Sequence, residues 1–353
     1  MTTRYARTRA TRQILPLAVS LLAAGAMAAA CSSSGSSGGA ASPSSGSAGS
    51  GSASTTSLSK VTLHIGDQAG SGAQALLTAA GLINKLPFKA DWSDFTSGPP
   101  MLQAMGSGSI DIGAVGDAPP VFAAAGGSKV AVVAATVANP DAAALLVPKG
   151  SAVHSVAQLK GQAIAVAEGS SANYHLLAVL KQAGLTVKDV KIENLQPAQA
   201  LAAFASGHIA AWDIWSPFIE QAQVQHGARV LVNGKPIGKT FSFQVASRAA
   251  LGNPGKVAAI KAYLKLINEA HVWANTHQAV WASTWAQATG LPTSIMAKAA
   301  ADDTAQIAPI DTTVISSEQS ISNAFSSAGL IPGKVDFANF AVSTFNSSDG
   351  AGS

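Results

Sequence analysis

The sequence predicts an α/β protein built as two lobes, and three observations carry that reading. Strand-like and helix-like segments alternate from residue 61 to residue 246, a pattern that calls for sheets joined by helical crossovers. One unit of the pattern recurs. A helix containing Met101, Leu102 and Met105 runs through Gly108 into a strand, and Pro119-Pro120 opens the next helix. A helix containing Leu201 and Phe204 runs through Gly207 into a strand, and Pro217 opens the next helix. The chain beyond a Ser/Gly-rich stretch, about 290 residues, exceeds one ordinary domain.

The elements follow in order. Residues 61–65 read as a strand, and 74–84 and 99–106 as helices. Residues 110–115 read as a strand, 119–125 as a helix, and 130–137, 144–147 and 163–167 as strands. A helix at 171–183, a strand at 190–195, a helix at 198–205 and a strand at 209–214 come next. A helix at 217–225 and strands at 229–232 and 241–246 close the alternation. Beyond Gly252 the chain reads as helical almost throughout, to about residue 328. Prolines at 119 and 217 suit a first helical turn, where the missing N–H costs nothing. The alternation predicts parallel sheets, whose ligands sit outside the carboxyl ends of the strands. Two repeated halves facing each other would form a cleft.

The single cysteine, Cys31, stands where three signals meet. Arg4, Arg7, Arg9 and Arg12 precede a short apolar run, and Ala28-Ala29-Ala30 stand directly before the cysteine. That is a secretory leader, and a lone cysteine at the cut resembles a bacterial lipobox. The resemblance implies cleavage before Cys31, lipidation of its sulfur and a body held outside the cell. The apolar run is too short and too broken by Pro16 to span a bilayer, which takes roughly 20 apolar residues. Residues 31–57 are Ser, Gly, Ala and Thr with little else, and read as a flexible tether of roughly 25–30 Å mean reach. Residues 346–353 read as a disordered tail.

Removing the leader removes four of the 22 Lys+Arg and leaves 18 against 18 Asp+Glu. The basic balance therefore belongs to the leader and argues nothing for nucleic acid. Beyond Cys31 there is no cysteine for a disulfide, a thiolate metal site or a nucleophile. The seven histidines show no metal-ligand spacing; neither a metal nor a cofactor is expected.

Five loops would line the cleft. They run from Gly66 to Gly72, Thr96 to Pro100, Gly116 to Pro120, Glu168 to His175 and Asp213 to Pro217. Several open helices, where free N–H groups and the helix dipole favour an anion. Ser, Asn, Gln and Trp add neutral donors, which suits a permanently ionised oxyanion such as a sulfonate. Ser170 or Ser171 could equally cap its own helix. Trp212 reads as a packing residue. Asp117 and Asp213 would repel an anion; the two readings open for each are orienting a loop and meeting an ammonium group on the ligand.

Three of these loops, within Gly116 to Ala123, Gly169 to Tyr174 and Ala211 to Phe218, together with Gly106 to Gly113, Leu145 to Lys149, Ser155 to Gly161 and Gly329 to Pro332, resemble a known family. It is the substrate-binding components of ABC importers in the nitrate, taurine and aliphatic sulfonate group, the aliphatic sulfonate binders most of all. The resemblance covers about residues 58–340. It implies a periplasmic-binding-protein-like fold: two α/β lobes joined by a two-strand hinge, with the ligand cleft between them. Lobe one would be 58–147 plus 245–345, and lobe two 148–244. The ligand positions it carries over are Gln68, Gly98, Pro99, Gly116, Asp117, Ser170, Ser171, Asn173 and Trp215. Asp213 and Ser216 depart from the family pattern beside the presumed site. Asp213 is kept as a candidate ligand contact.

The function implied is capture of a small sulfonate-type organic anion and its delivery to an ABC permease and its ATPase. The carrier would be a lipid-anchored monomer on the outer face of the cell membrane. Nitrate and a thiamine-precursor pyrimidine are the alternative ligands. Some relatives of this fold are cysteine-dependent desulfinases, but no cysteine follows position 31. Ser171 and His175 stand four apart on one predicted helix, with no acid evident in the sequence to orient the histidine.

Overall fold

The computed structural model describes residues 57–68 and 72–346, all within the unit Ser54–Ser353. The leader, Cys31, the tether up to residue 56, residues 69–71 and the tail from 347 lie outside the described residues.

The chain opens with β1 (Thr62–Gln68), α1 (Ala73–Ala79), β2 (Lys89–Phe95), α2 (Gly98–Gly106), β3 (Ile112–Val115), α3 (Ala118–Ala125) and β4 (Val130–Val137). It crosses to β5 (Ala143–Val147), β6 (Ala163–Val166), α4 (Ser171–Gln182), β7 (Lys191–Asn194), α5 (Pro197–Ala205), β8 (Ala211–Trp215), α6 (Phe218–His226) and β9 (Arg229–Asn233). It returns through β10 (Phe241–Ser247), α7 (Arg248–Leu251), α8 (Pro254–Thr276), α9 (Gln278–Thr289), α10 (Thr293–Asp302), β11 (Gln306–Ala308) and α11 (Thr312–Ser327).

Two sheets result. One has six strands in the order β11-β4-β10-β3-β1-β2, the other five in the order β7-β6-β8-β5-β9. Within them β1 runs parallel to β2 and β3, and β6 parallel to β7 and β8. The sheets are mixed rather than purely parallel. The strand arriving from the other lobe, β10 in one sheet and β5 in the other, is antiparallel to its neighbours. The reason is geometric. The parallel strands end at the cleft, so a chain entering from the cleft runs against them. The two crossing segments bond to each other, Ala138 N–H to the Thr240 carbonyl at 3.0 Å and Gly234 N–H to the Pro140 carbonyl at 2.9 Å. The crossings thus lie at 138–142 and 234–240. This places β5 in the second sheet, a few residues earlier than the 147/148 boundary expected from sequence.

Each sheet buries both faces, as alternating side chains require. On one face of the larger sheet Leu63, Ile65 and Ile112 meet Tyr263 and Trp281. On the other, Val115, Phe243 and Val245 meet Met101, Phe325 and Phe337. In the smaller sheet Leu146, Trp212 and Ile214 face Phe204, while Leu145, Val147 and Ile164 face Leu176 and Leu180.

Both repeated units are built. Gly108 and Gly207 follow α2 and α5 at φ 88 and 74, the left-handed conformation that ends a helix and that glycine adopts without a Cβ penalty. Three readings change. The first helix stops at Ala79, near Gly81 at φ 68. β2 forms where no strand was expected. The C-terminal helical run is broken at His277 and Gly290, and β11 interrupts it.

Candidate functional site

The carboxyl ends of β1, β3, β6 and β8 converge on a cavity of about 290 Å³ between the lobes. Seven expected positions line it: Gln68, Gly98, Gly116, Asp117, Ser170, Ser171 and Trp215. Pro99, Asn173 and Asp213 are not among its lining residues.

Gln68 ends β1 and donates from Nε2 to the Ala114 carbonyl at 2.7 Å, fixing the β1 end to β3. Asp67 beside it accepts from the N–H groups of Gln68, Ala73 and Gln74 and so caps α1. Gly98 opens α2. A β-carbon there would stand 2.8 Å from Pro119 Cγ and 3.1 Å from Val115 Cγ1, so two loops of lobe one close on each other only with glycine.

The lobes meet around the start of α4. A β-carbon on Gly116 would collide with Ser171 Oγ, and one on Gly169 would stand 3.1 Å from the Phe122 ring. The Tyr174 and Phe325 rings face each other at 6.0 Å. Thr96 and Ser97 both donate to Gln196 Oε1, at 3.0 and 2.9 Å.

Ser170 and Ser171 divide the two roles considered for them. Ser170 caps α4: its Oγ accepts from Asn173 N–H at 3.3 Å and donates to the Ala167 carbonyl at 2.6 Å. Ser171 turns across the cleft and donates to the Asp117 carboxyl. Asn173 is buried and accepts from Gly169 N–H at 3.1 Å, holding the loop rather than lining the cavity. The first-turn N–H groups of Ser171 and Ala172 have no intrahelical acceptor and form an anion-favouring edge.

Asp213 corrects an expectation. It is 0% exposed, and both its oxygens face His175 Nδ1, at 2.9 and 2.7 Å. Its charge is met inside the protein, not by a ligand ammonium. The acid missing from the sequence reading of His175 is therefore present, on β8. It completes no nucleophilic triad, because Ser171 Oγ bonds Asp117 and not the His175 ring. Burial disfavours a charged His175. The Asp213 charge and hydrogen bond, the Asn233 carbonyl and Asp117 together outweigh it, and the ring pKa is raised.

Trp212 is fully buried between Phe204 and Phe218, as expected, while Trp215 lines the cavity. Ser216 donates to Glu220 Oε1 at 2.8 Å and so serves its own helix. Tyr174 and His175, at the end of the Glu168-to-His175 loop expected to line the cleft, do line it, whereas sequence reasoning missed the lining residues Gln244, Asn268, His271 and Trp285. Gln244 lies on a crossing strand and the last three on α8 and α9, far from any loop motif.

Burial pushes the Asp117 pKa up to about 6 from 3.8, against hydrogen bonds from Ser171 and Ala118. Glu318 on α11 is 0% exposed with neither carboxyl oxygen partnered among the described residues. Burial, with Asp117 nearby, holds its pKa well above the ordinary value. An acid raised in the folded state costs stability as pH rises, because the unfolded chain gives up the proton first. For Asp117 the window runs from about pH 4 to about pH 6, and the loss reaches up to about 3 kcal/mol. Urea unfolding across that window should show Asp117→Asn with a flatter stability profile than the parent; identical profiles would count against a neutral buried Asp117.

Comparisons with known proteins agree with this fold. Residues 97–244 match the family described as NMT1/THI5 like. A protein of Escherichia coli (strain K12), provisionally named an aliphatic sulfonates-binding protein, is 36% identical over 281 residues, covering 79% of this chain and 88% of that one. The taurine-binding periplasmic protein of the same organism is 32% identical over 149 residues, 42% of this chain and 45% of that one. The alkanesulfonate-binding protein SsuA from Xanthomonas axonopodis pv. citri, solved bound to MOPS, superposes with a TM-score of 0.75. It is 35% identical, with 80% of this chain and 98% of that one covered.

Proposed function

Because the chain belongs to the family of aliphatic sulfonate-binding proteins, we propose that it is the solute-binding component of an ABC importer for a small organic sulfonate. The single observation that carries this is the cavity at the start of α4, flanked by Gly98 and Gly116 and enclosed by both lobes. A sulfonate offers three acceptor oxygens and no proton. The helix start offers N–H groups and a favourable dipole. The apolar and aromatic walls, among them Trp215 and Trp285, suit an organic tail.

The volume of about 290 Å³ sits at the lower edge of the range of about 300–1,000 Å³ usual for organic ligands. It leaves nitrate poorly contacted. Ligand positions in this reading are Gln68, Gly98, Gly116, Asp117, Ser171 and Trp215, with Ser170, Asn173 and Pro99 shaping the loops behind them. Binding alone is the role, with no chemistry on the ligand. Ser171 and His175 do not form an activated pair, and the sole cysteine lies at position 31.

Closing the lobes buries the ligand and creates the form that a permease and its ATPase recognise. The Cys31 signal supports a lipid-anchored, extracytoplasmic protein, with the Ser/Gly stretch giving it room to dock. Tryptophan fluorescence should shift on titration with ethanesulfonate or taurine, reported by Trp215, and respond weakly to nitrate. A response to a thiamine-precursor pyrimidine but to no sulfonate would replace the ligand class; silence to all would remove it.

A further inference from the structure

The site as described meets the anion with neutral donors only, yet one buried ion pair adjoins it. His175 is one turn along α4 from Ser171, on the same helix face, and lines the cavity. It is 2% exposed, and Asp213 behind it 0%. Asp213 holds the ring through Nδ1 at 2.7 Å. Nε2 is buried and makes no close hydrogen bond among the described residues, with the Asn233 carbonyl a backbone acceptor beside the ring that favours its protonated form; since Asp213 holds Nδ1, Nε2 is the ring atom left to gain or lose a proton.

The two protonation states differ sharply in what they present. With Nε2 protonated, the pair is an imidazolium beside a carboxylate, neutral overall, with its positive end on the cavity side of Asp213. With Nε2 bare, the imidazole is neutral and the Asp213 charge is uncompensated in the wall of an anion site. In a low-dielectric cleft an anion at the start of α4, about one 5.4 Å turn from His175, disfavours the second state.

We propose that the His175–Asp213 pair is the counter-charge of the cleft, so that capture of a sulfonate anion takes up one proton and is favoured at low pH. The proposal rests on the sulfonate-binding reading and adds to it a residue outside the family-derived site and a proton linkage.

The other ionisable groups around His175 narrow the source of the proton. Among the elements packed on α4, neither β5 nor β6 carries one, and β8 carries only Asp213. Asp117 precedes α3, Glu318 is on α11, Tyr174 is on α4 itself, and Lys235 stands in the turn after β9. Lys235 is exposed and paired with Asp141 at 2.8 Å. The Tyr174 pKa is pushed up to about 12, and Glu318 well above the usual carboxylate range. Asp117 is therefore the competitor, since it too titrates below neutral pH.

The test is calorimetric titration with ethanesulfonate from about pH 5 to about pH 9, in pairs of buffers of different ionisation enthalpy. The parent protein should take up close to one proton at the alkaline end and none at the acid end. Its affinity should fall about tenfold per pH unit above the pKa of the ligand-free pair. His175→Gln should bind without uptake. If that variant fails to fold, the paired replacement of His175→Leu with Asp213→Val, which leaves no lone buried charge, should show the same flat profile. Asp117→Asn, whatever it does to affinity, should keep the uptake per mole of ligand bound. Uptake that survives loss of His175, uptake lost with Asp117, or binding without uptake in the parent would each overturn the proposal and leave the sulfonate reading standing. Absence of binding in every protein would remove that reading, and this proposal with it.

Discussion

Gly116→Val is expected to abolish sulfonate binding while both lobes stay folded. Gly116 follows β3 and meets the first residue of α4 across the cleft. A β-carbon there collides with Ser171 Oγ and stands 3.0 Å from Ser171 Cβ. The hydroxyl can rotate away, but the Ser171 β-carbon cannot, and valine adds two methyl groups. Gly116 is not among the positive-φ glycines, so the substitution strains a contact between lobes and not the backbone within one. Each lobe keeps its sheet and its core, which border this contact at Val115 and Ala172 but include neither Gly116 nor Ser171. The closed arrangement is what suffers, and with it the helix start, the Asp117–Ser171 bond and the burial of the ligand. We expect affinity to fall about 100-fold or more, equivalent to about 2.7 kcal/mol. The circular dichroism and melting midpoint of the ligand-free protein should stay near those of the parent, and the ligand-induced rise in midpoint should disappear. Affinity within about threefold of the parent would mean that the lobes do not close here around the ligand.

The second large effect falls on stability. Asp213→Ala removes one partner of a fully buried pair and strands His175 without the carboxylate that holds its Nδ1. Breaking such a pair costs about 3–5 kcal/mol, a large share of the stability of an ordinary domain. Urea unfolding should register that loss near neutral pH. The paired replacement at Asp213 and His175 should be much milder, because it leaves no buried charge behind. Were Asp213 instead a reader of a ligand ammonium, the single change would lower affinity and leave stability nearly untouched.

Much of this organisation is legible in the sequence, for identifiable reasons. Gly108 and Gly207 mark helix ends that only glycine fits easily, and Pro119-Pro120 marks a helix start, so the two repeated units can be placed. Strand parity also separates the two tryptophans of β8. Trp212 points with Ile214 into one core, whereas Asp213 and Trp215 point the other way, one to His175 and the other to the cavity.

What escapes the sequence is of two kinds. β2 is an edge strand, mostly exposed and carrying Lys89, Asp91, Ser93 and Asp94, so no apolar run announces it. β11 has three residues, and its pairing with β4 comes from tertiary contact alone. The His175–Asp213 pair is of the second kind: 38 residues separate its members, and only the packing of α4 on β8 brings them together. Ser170 and Ser171 are adjacent and chemically identical, and only the approach of Gly116 decides which of them crosses the cleft. The likeness to a family finds the loops; the departures from it, at Asp213 above all, take their meaning from the fold.

The most direct measurement is a crystal structure of the protein grown with an alkanesulfonate such as ethanesulfonate. The sulfonate is expected between the lobes at the start of α4, with its oxygens on the Ser171 and Ala172 N–H groups and beside Gly98 and Gly116, and its tail toward Trp215. A sulfonate found away from this cleft, or a closed cleft with no ligand at saturating concentration, would contradict the account.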